Sequence, residues 1–108
     1  MRQEQFNEIV KWQKETFPDA NAVSKIIHCE DEIYELRIDV VNKNPDRRLE
    51  YADCLLLLFG AAHADGFSYG DICNAIDEKL KINKSRKWGT PDKNGVVNHI
   101  KEKTNARI

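Results

Sequence analysis

Residues 45–64 read PDRRLEYADCLLLLFGAAHA, and they contain the longest unbroken apolar run of the chain, Leu55 to Phe59. Pro45 suits the first position of a helix, and Asp65-Gly66 closes it, with Gly66 a natural C-terminal cap. At about 100° per residue, Ala52, Leu55, Leu56, Leu57, Leu58, Phe59, Ala61 and Ala62 cover every direction around that helix. A helix that is apolar all round is expected to be buried and central. Its first turns nevertheless carry Glu50 and Asp53, on the stripe that Leu57, Gly60 and Ala64 continue. Acidic groups are favourable at a helix N-terminus, but carboxylates heading a buried stripe also call for a partner.

Working outward, Asn42-Lys43-Asn44-Pro45 is a compact turn, and before it a second helix is predicted over Ala20 to Val41. After Gly66, Ser68 is an N-cap candidate with Asp71 three residues on, opening a helix that runs to about Lys87. A first helix is expected over Gln3 to Glu15, ahead of the Phe17-Pro18 break. Beyond Trp88-Gly89-Thr90-Pro91 the chain reads as an irregular basic tail with room for a helical turn near Val96 to Lys101. Short connections imply antiparallel neighbours. The expectation is an all-α protein, an antiparallel bundle of about four helices with the second to fourth as its main body, completed by oligomerisation. Residues 1–88 would form the helical domain and residues 89–108 the tail.

Composition narrows the class. A chain of 108 residues suits one small domain. The longest apolar run, Leu55 to Phe59, is far short of a membrane span, and the first residues do not resemble a signal peptide. Cys29, Cys54 and Cys73 lack both a disulfide framework and C-x-x-C metal spacing, which points to small buried thiols in a reducing, cytoplasmic setting. The net charge of -1 conceals a split: residues 1–78 hold 16 acidic and 8 basic side chains, residues 79–108 hold 2 and 9.

That split has a local meaning. On the second helix Val23, Ile26, Ile27, Ile33, Leu36, Val40 and Val41 form one apolar arc, with Glu32 and Glu35 beside it and His28 and Asp39 on the same flank. Glu32-x-x-Glu35 and Glu50-x-x-Asp53 are thus two i, i+3 carboxylate pairs separated by a turn, and antiparallel packing sets them at a similar level. Two like charges about 5 Å apart repel by about 3 kcal/mol at an effective dielectric near 20, a cost that a divalent cation removes. An all-oxygen set favours Mg²⁺ or Mn²⁺ over zinc. On the fourth helix the face of Ile72, Ala75 and Ile76 continues to Lys79, Asn83 and Arg86. Inward cations near a carboxylate-held metal are what a polyphosphate requires.

These residues, taken in order, resemble the MazG-like all-α nucleoside triphosphate pyrophosphohydrolases, and most nearly their short phage-associated dATP/dGTP diphosphohydrolase branch. The E-E-x-x-E pattern of that family is matched by Asp31-Glu32-Ile33-Tyr34-Glu35, and E-x-x-D by Glu50-Tyr51-Ala52-Asp53, with fourteen residues between Glu35 and Glu50. Its K-x-x-x-N-x-x-R is matched by Lys79 to Arg86, followed by Trp88. Asp31 departs from the family's first Glu, at a position outside the four assigned to metal. The resemblance implies that Glu32, Glu35, Glu50 and Asp53 bind Mg²⁺, with Mn²⁺ as substitute, and that Lys79, Asn83 and Arg86 hold the polyphosphate. It implies cleavage between the α- and β-phosphates, and the mechanism expected to follow makes Glu35, Glu50 and Lys79 catalytic, with Glu35 a candidate general base. It also implies a dATP/dGTP-type substrate and a homodimer or homotetramer. Trp12, Phe17 and Trp88 are candidates for stacking on the base and His28 for contacting it, although ordinary packing accounts for such side chains as well. Two rival readings remain: a non-enzymatic helical interaction protein, and a nucleic-acid binder using the basic segment, which the acidity of the rest of the chain opposes.

Overall fold

The computed structural model describes residues 1–101. They form four α-helices and no strand, namely α1 (Gln3–Thr16), α2 (Ala22–Val41), α3 (Arg47–Ala64) and α4 (Tyr69–Ser85). The all-α expectation therefore holds. The chain divides into two compact units, Met1–Ile72 and Cys73–Ile108.

In the first unit, α2 and α3 form a helical hairpin with the most extensive packing, and α1 lies against α3. α1 thus joins α2 and α3 in the body of this unit, a place the sequence reading did not give it. Its anchor is Phe6, only 2% exposed. The Phe6 ring packs against Phe59, His63 and Tyr69 at centroid distances of 6.2, 5.9 and 5.3 Å. Between α2 and α3 the buried thiol of Cys29 lies 3.6 Å from the Cys54 carbonyl. All three cysteines are free; Cys29 and Cys54 are buried and Cys73 is half-buried.

The helix ends follow local hydrogen bonding. Asn21 and Ser24 cap α2 reciprocally: the Ser24 N–H donates to Asn21 Oδ1 and the Asn21 N–H donates to Ser24 Oγ, each at 2.8 Å. α2 therefore starts at Ala22 rather than Ala20. α3 starts at Arg47 rather than Pro45, because Asn44 Oδ1 accepts the Asp46 N–H at 2.9 Å and holds residues 44–46 in a turn. Gly66, at φ +98°, ends α3: its N–H reaches the His63 carbonyl and the Phe67 N–H reaches the Ala62 carbonyl. This paired arrangement satisfies two of the helix's last carbonyls. Ser68 and Asp71 form a second reciprocal cap at the start of α4. That cap holds the Asp71 carboxyl below its ordinary pKa, chiefly through the Ser68 backbone N–H and then its hydroxyl.

α3 departs from the buried central helix that its sequence suggests. Leu55 and Leu58 are 52% and 47% exposed, because α1 and α2 cover only part of its circumference within the unit.

In the second unit the segment after α4 is not helical. Trp88 and His99 form an antiparallel bridge, the Gly89 N–H donates to Asn98 and the Ile100 N–H to Lys87. The turn at its tip uses Asp92 Oδ1 as acceptor for the Asn94 and Val96 N–H groups, with Gly95 at φ +79°. The helical turn expected near Val96 to Lys101 is thus replaced by extended chain folded back on itself. Pro91 interrupts helical hydrogen bonding, and the Asp92–Gly95 turn reverses the direction. Residues 102–108 of the expected tail lie outside the described residues.

Candidate active site

α2 and α3 each offer carboxylates on the flank where they meet, and the short turn between them fixes the register. Glu32, Glu35 and Glu50 each present an oxygen within 4.8 Å of the other two. Glu32 and Glu50 are half-buried, while Glu35 is exposed. Asp53, the fourth residue of the sequence motif, stands outside this trio and is exposed. It still acts on the cluster. Glu50 titrates above the ordinary carboxylate range, first because it is partly desolvated and then because of the charges on Asp39, Asp53, Glu32 and Glu35.

Asp39 is the acidic member that the sequence placed on the flank without assigning it to the site. Its i, i+4 spacing from Glu35 carries it one turn along the same side of α2. Its Oδ1 lies 3.4 Å from Asn44 Nδ2, linking the cluster to the interhelical turn. The donor set is all oxygen, is crowded with like charge and keeps one member open to solvent, which fits a hard divalent cation.

A cavity of about 380 Å³ adjoins the cluster, since Glu32 and Asp53 line it together with Trp12, Phe17, Lys25 and His28. Trp12 and Phe17 meet edge to face at 5.5 Å. His28 Nε2 lies 3.4 Å from Glu32 Oε1, an ion pair only when the imidazole is protonated. Gln13 and Lys25 also line this cavity, and nothing in the sequence pattern marks them. Their burial follows from α1 lying on α3, a packing that periodicity alone does not disclose.

Lys79, Asn83 and Arg86 belong to the second unit. Arg86 Nη1 donates to Asn83 Oδ1 at 3.3 Å, and the Trp88 indole N–H donates to the Asn83 carbonyl at 2.9 Å. Trp88 also packs edge to face on His99 at 6.0 Å. The His99 pKa is lowered, first by burial and then by the positive charges of Arg86, Lys101 and Lys79. The basic residues of the motif therefore share one positively charged neighbourhood.

Comparison with known proteins gives matches of sequence and of structure. The Eaa protein of Salmonella phage P22 is 38% identical over 65 residues; the match covers 60% of this chain but only 20% of that protein. The dATP/dGTP diphosphohydrolase of Cyanophage S-2L is 34% identical over 93 residues, covering 86% of this chain and 82% of its own length. Among solved structures, the Cyanophage S-2L MazG-like pyrophosphohydrolase bound to dGDP and three catalytic Mn²⁺ ions per active site superposes with a TM-score of 0.74. Its sequence is 32% identical, and the match covers 92% of each chain. The profile of the dATP/dGTP pyrophosphohydrolase family matches residues 5–106, and the chain belongs to that family.

Proposed function

We propose that this chain hydrolyses purine deoxynucleoside triphosphates between the α- and β-phosphates, releasing a nucleoside monophosphate and pyrophosphate. The observation that carries the proposal is the convergence of Glu32, Glu35 and Glu50 within 4.8 Å, in a chain whose family profile spans residues 5–106. Glu32, Glu35, Glu50 and Asp53 are the ligand set, with Mg²⁺ the working ion and Mn²⁺ an effective substitute. A divalent cation held there supplies the positive charge that offsets the triphosphate and the carboxylates alike.

The remaining chemistry falls to the chain's own groups. Glu35, the exposed member of the trio, accepts the proton of the attacking water. Glu50 holds its place in the cluster and contributes a ligand oxygen. Lys79 and Arg86 neutralise charge growing on the departing pyrophosphate, and Asn83 orients the Arg86 guanidinium through the bond between them. Trp12 offers a stacking surface for the base within the cavity, and His28 a polar contact beside Glu32. Trp88 braces the basic face through its bond to the Asn83 carbonyl. Residues 1–88 carry this machinery. A homodimer or homotetramer covers the apolar side chains that the single chain leaves exposed, and a cytoplasmic location suits the free thiols.

A panel of nucleoside triphosphates with Mg²⁺ or Mn²⁺, scored for products, tests the reading. Monophosphate and pyrophosphate are expected; orthophosphate with a diphosphate would overturn the bond assignment. Salt-sensitive binding of single-stranded DNA without turnover would favour the nucleic-acid reading instead.

A further inference from the structure

Gln13 and Lys25 are the buried polar side chains among the described residues, 4% and 9% exposed. Gln13 is committed at both ends: its Nε2 donates to the Leu56 carbonyl at 2.9 Å, and its Oε1 accepts from Lys25 Nζ at 3.0 Å. An ammonium group carries three donors, and Gln13 takes one of them. Burial also lowers the Lys25 pKa from its usual value, so the charged form stands to gain from further acceptors. Lys25 lines the 380 Å³ cavity that has Trp12 and Phe17 on its wall and shares Glu32 with the carboxylate cluster.

The occupant this cavity suits is flat enough to stack on an indole, carries hydrogen-bond acceptors on one edge, and bears phosphates that reach the cluster. The two purines differ on that edge. Guanine presents O6 and N7, both acceptors, whereas adenine sets an amino donor beside N7. A donor-only ammonium matches both guanine atoms and opposes one of adenine's.

We propose that Lys25, held in place by Gln13, reads the O6/N7 edge of a guanine base in this cavity and favours deoxyguanosine over deoxyadenosine triphosphate. The proposal rests on the reading of the carboxylate cluster as a nucleoside triphosphate site. It adds a specificity-determining residue outside the sequence motifs.

The test compares kcat/KM for dGTP, dITP, dATP and 2-aminopurine deoxyribonucleoside triphosphate. dITP keeps O6 and N7 and should stay within about threefold of dGTP. The 2-aminopurine analogue lacks O6 and should fall at least about tenfold, as should dATP. Lys25→Met should shrink the preference for dGTP over dATP at least about fivefold, while the rise in Tm on adding Mn²⁺ persists. If that variant does not fold, the analogue series on the unaltered protein decides. Equal rates with dGTP and the 2-aminopurine analogue would overturn the role of Lys25. So would a Lys25→Met variant that loses dGTP and dATP turnover in equal measure. Absence of any triphosphate turnover, with no Mn²⁺-dependent rise in Tm, would overturn the underlying nucleotide reading and this inference with it.

Discussion

Glu50 concentrates the electrostatics of the carboxylate cluster in one side chain. Its carboxyl is held above the ordinary range by desolvation and by the surrounding carboxylates. A folded-state pKa raised in this way contributes stability that is fully present below the unfolded-state value and is lost as pH rises through the folded-state value. In chelator, wild type should therefore lose stability relative to Glu50→Gln as pH rises from 4 to 7, a difference that paired thermal melts would measure. With metal the order should reverse. Saturating Mn²⁺ should raise the Tm of wild type by about 5 °C or more, and Glu50→Gln should forfeit most of that rise. Turnover by the same variant should fall at least about a hundredfold in a pyrophosphate-release assay. At saturating Mn²⁺, Glu35→Gln should remove the proposed base and lower kcat while leaving the KM for the triphosphate within a fewfold of wild type.

At the scale of the helix, the ends of α2 and α3 are held by specific residues. Asn21→Ala removes one half of the reciprocal cap at the start of α2 and should cost about 1 kcal/mol in a urea melt. Gly66 sits at φ +98°, where a side chain is strained, so Gly66→Ala should cost about 1 kcal/mol despite open space around it. Gly60 poses a different problem. A Cβ there would collide with the Gln13 side-chain amide, so Gly60→Ala should dislodge the group that holds Lys25. The gain in helix propensity from alanine would not offset that, and the dGTP preference should weaken even though Gly60 contacts no substrate in the proposed site.

For the whole molecule, the four helices are legible in the sequence because Pro45, Gly66, Ser68 and the Phe17-Pro18 break punctuate a chain with strong apolar periodicity. The meeting of Glu32, Glu35 and Glu50 is legible for a related reason: i, i+3 pairs on two helices joined by a short turn have few registers open to them. The exposure of α3 is not legible, since the residue pattern reports that a helix needs covering without saying by what. Leu55 and Leu58 are half exposed in the single chain. If a second copy covers them, light scattering should give two or four times 12.5 kDa, and Leu58→Glu should shift the population toward monomer. The Gln13–Lys25 pair also escapes sequence reading, because it depends on where α1 lands. The five-residue turn between α2 and α3 has a kinetic consequence. Glu32 and Glu50 are close in the chain, so the hairpin that unites them closes a short loop and belongs to the fast, local stage of folding. Charge repulsion among the carboxylates then opposes one of the earliest native contacts, and Mn²⁺ present during stopped-flow refolding should accelerate collapse as well as stabilise the product.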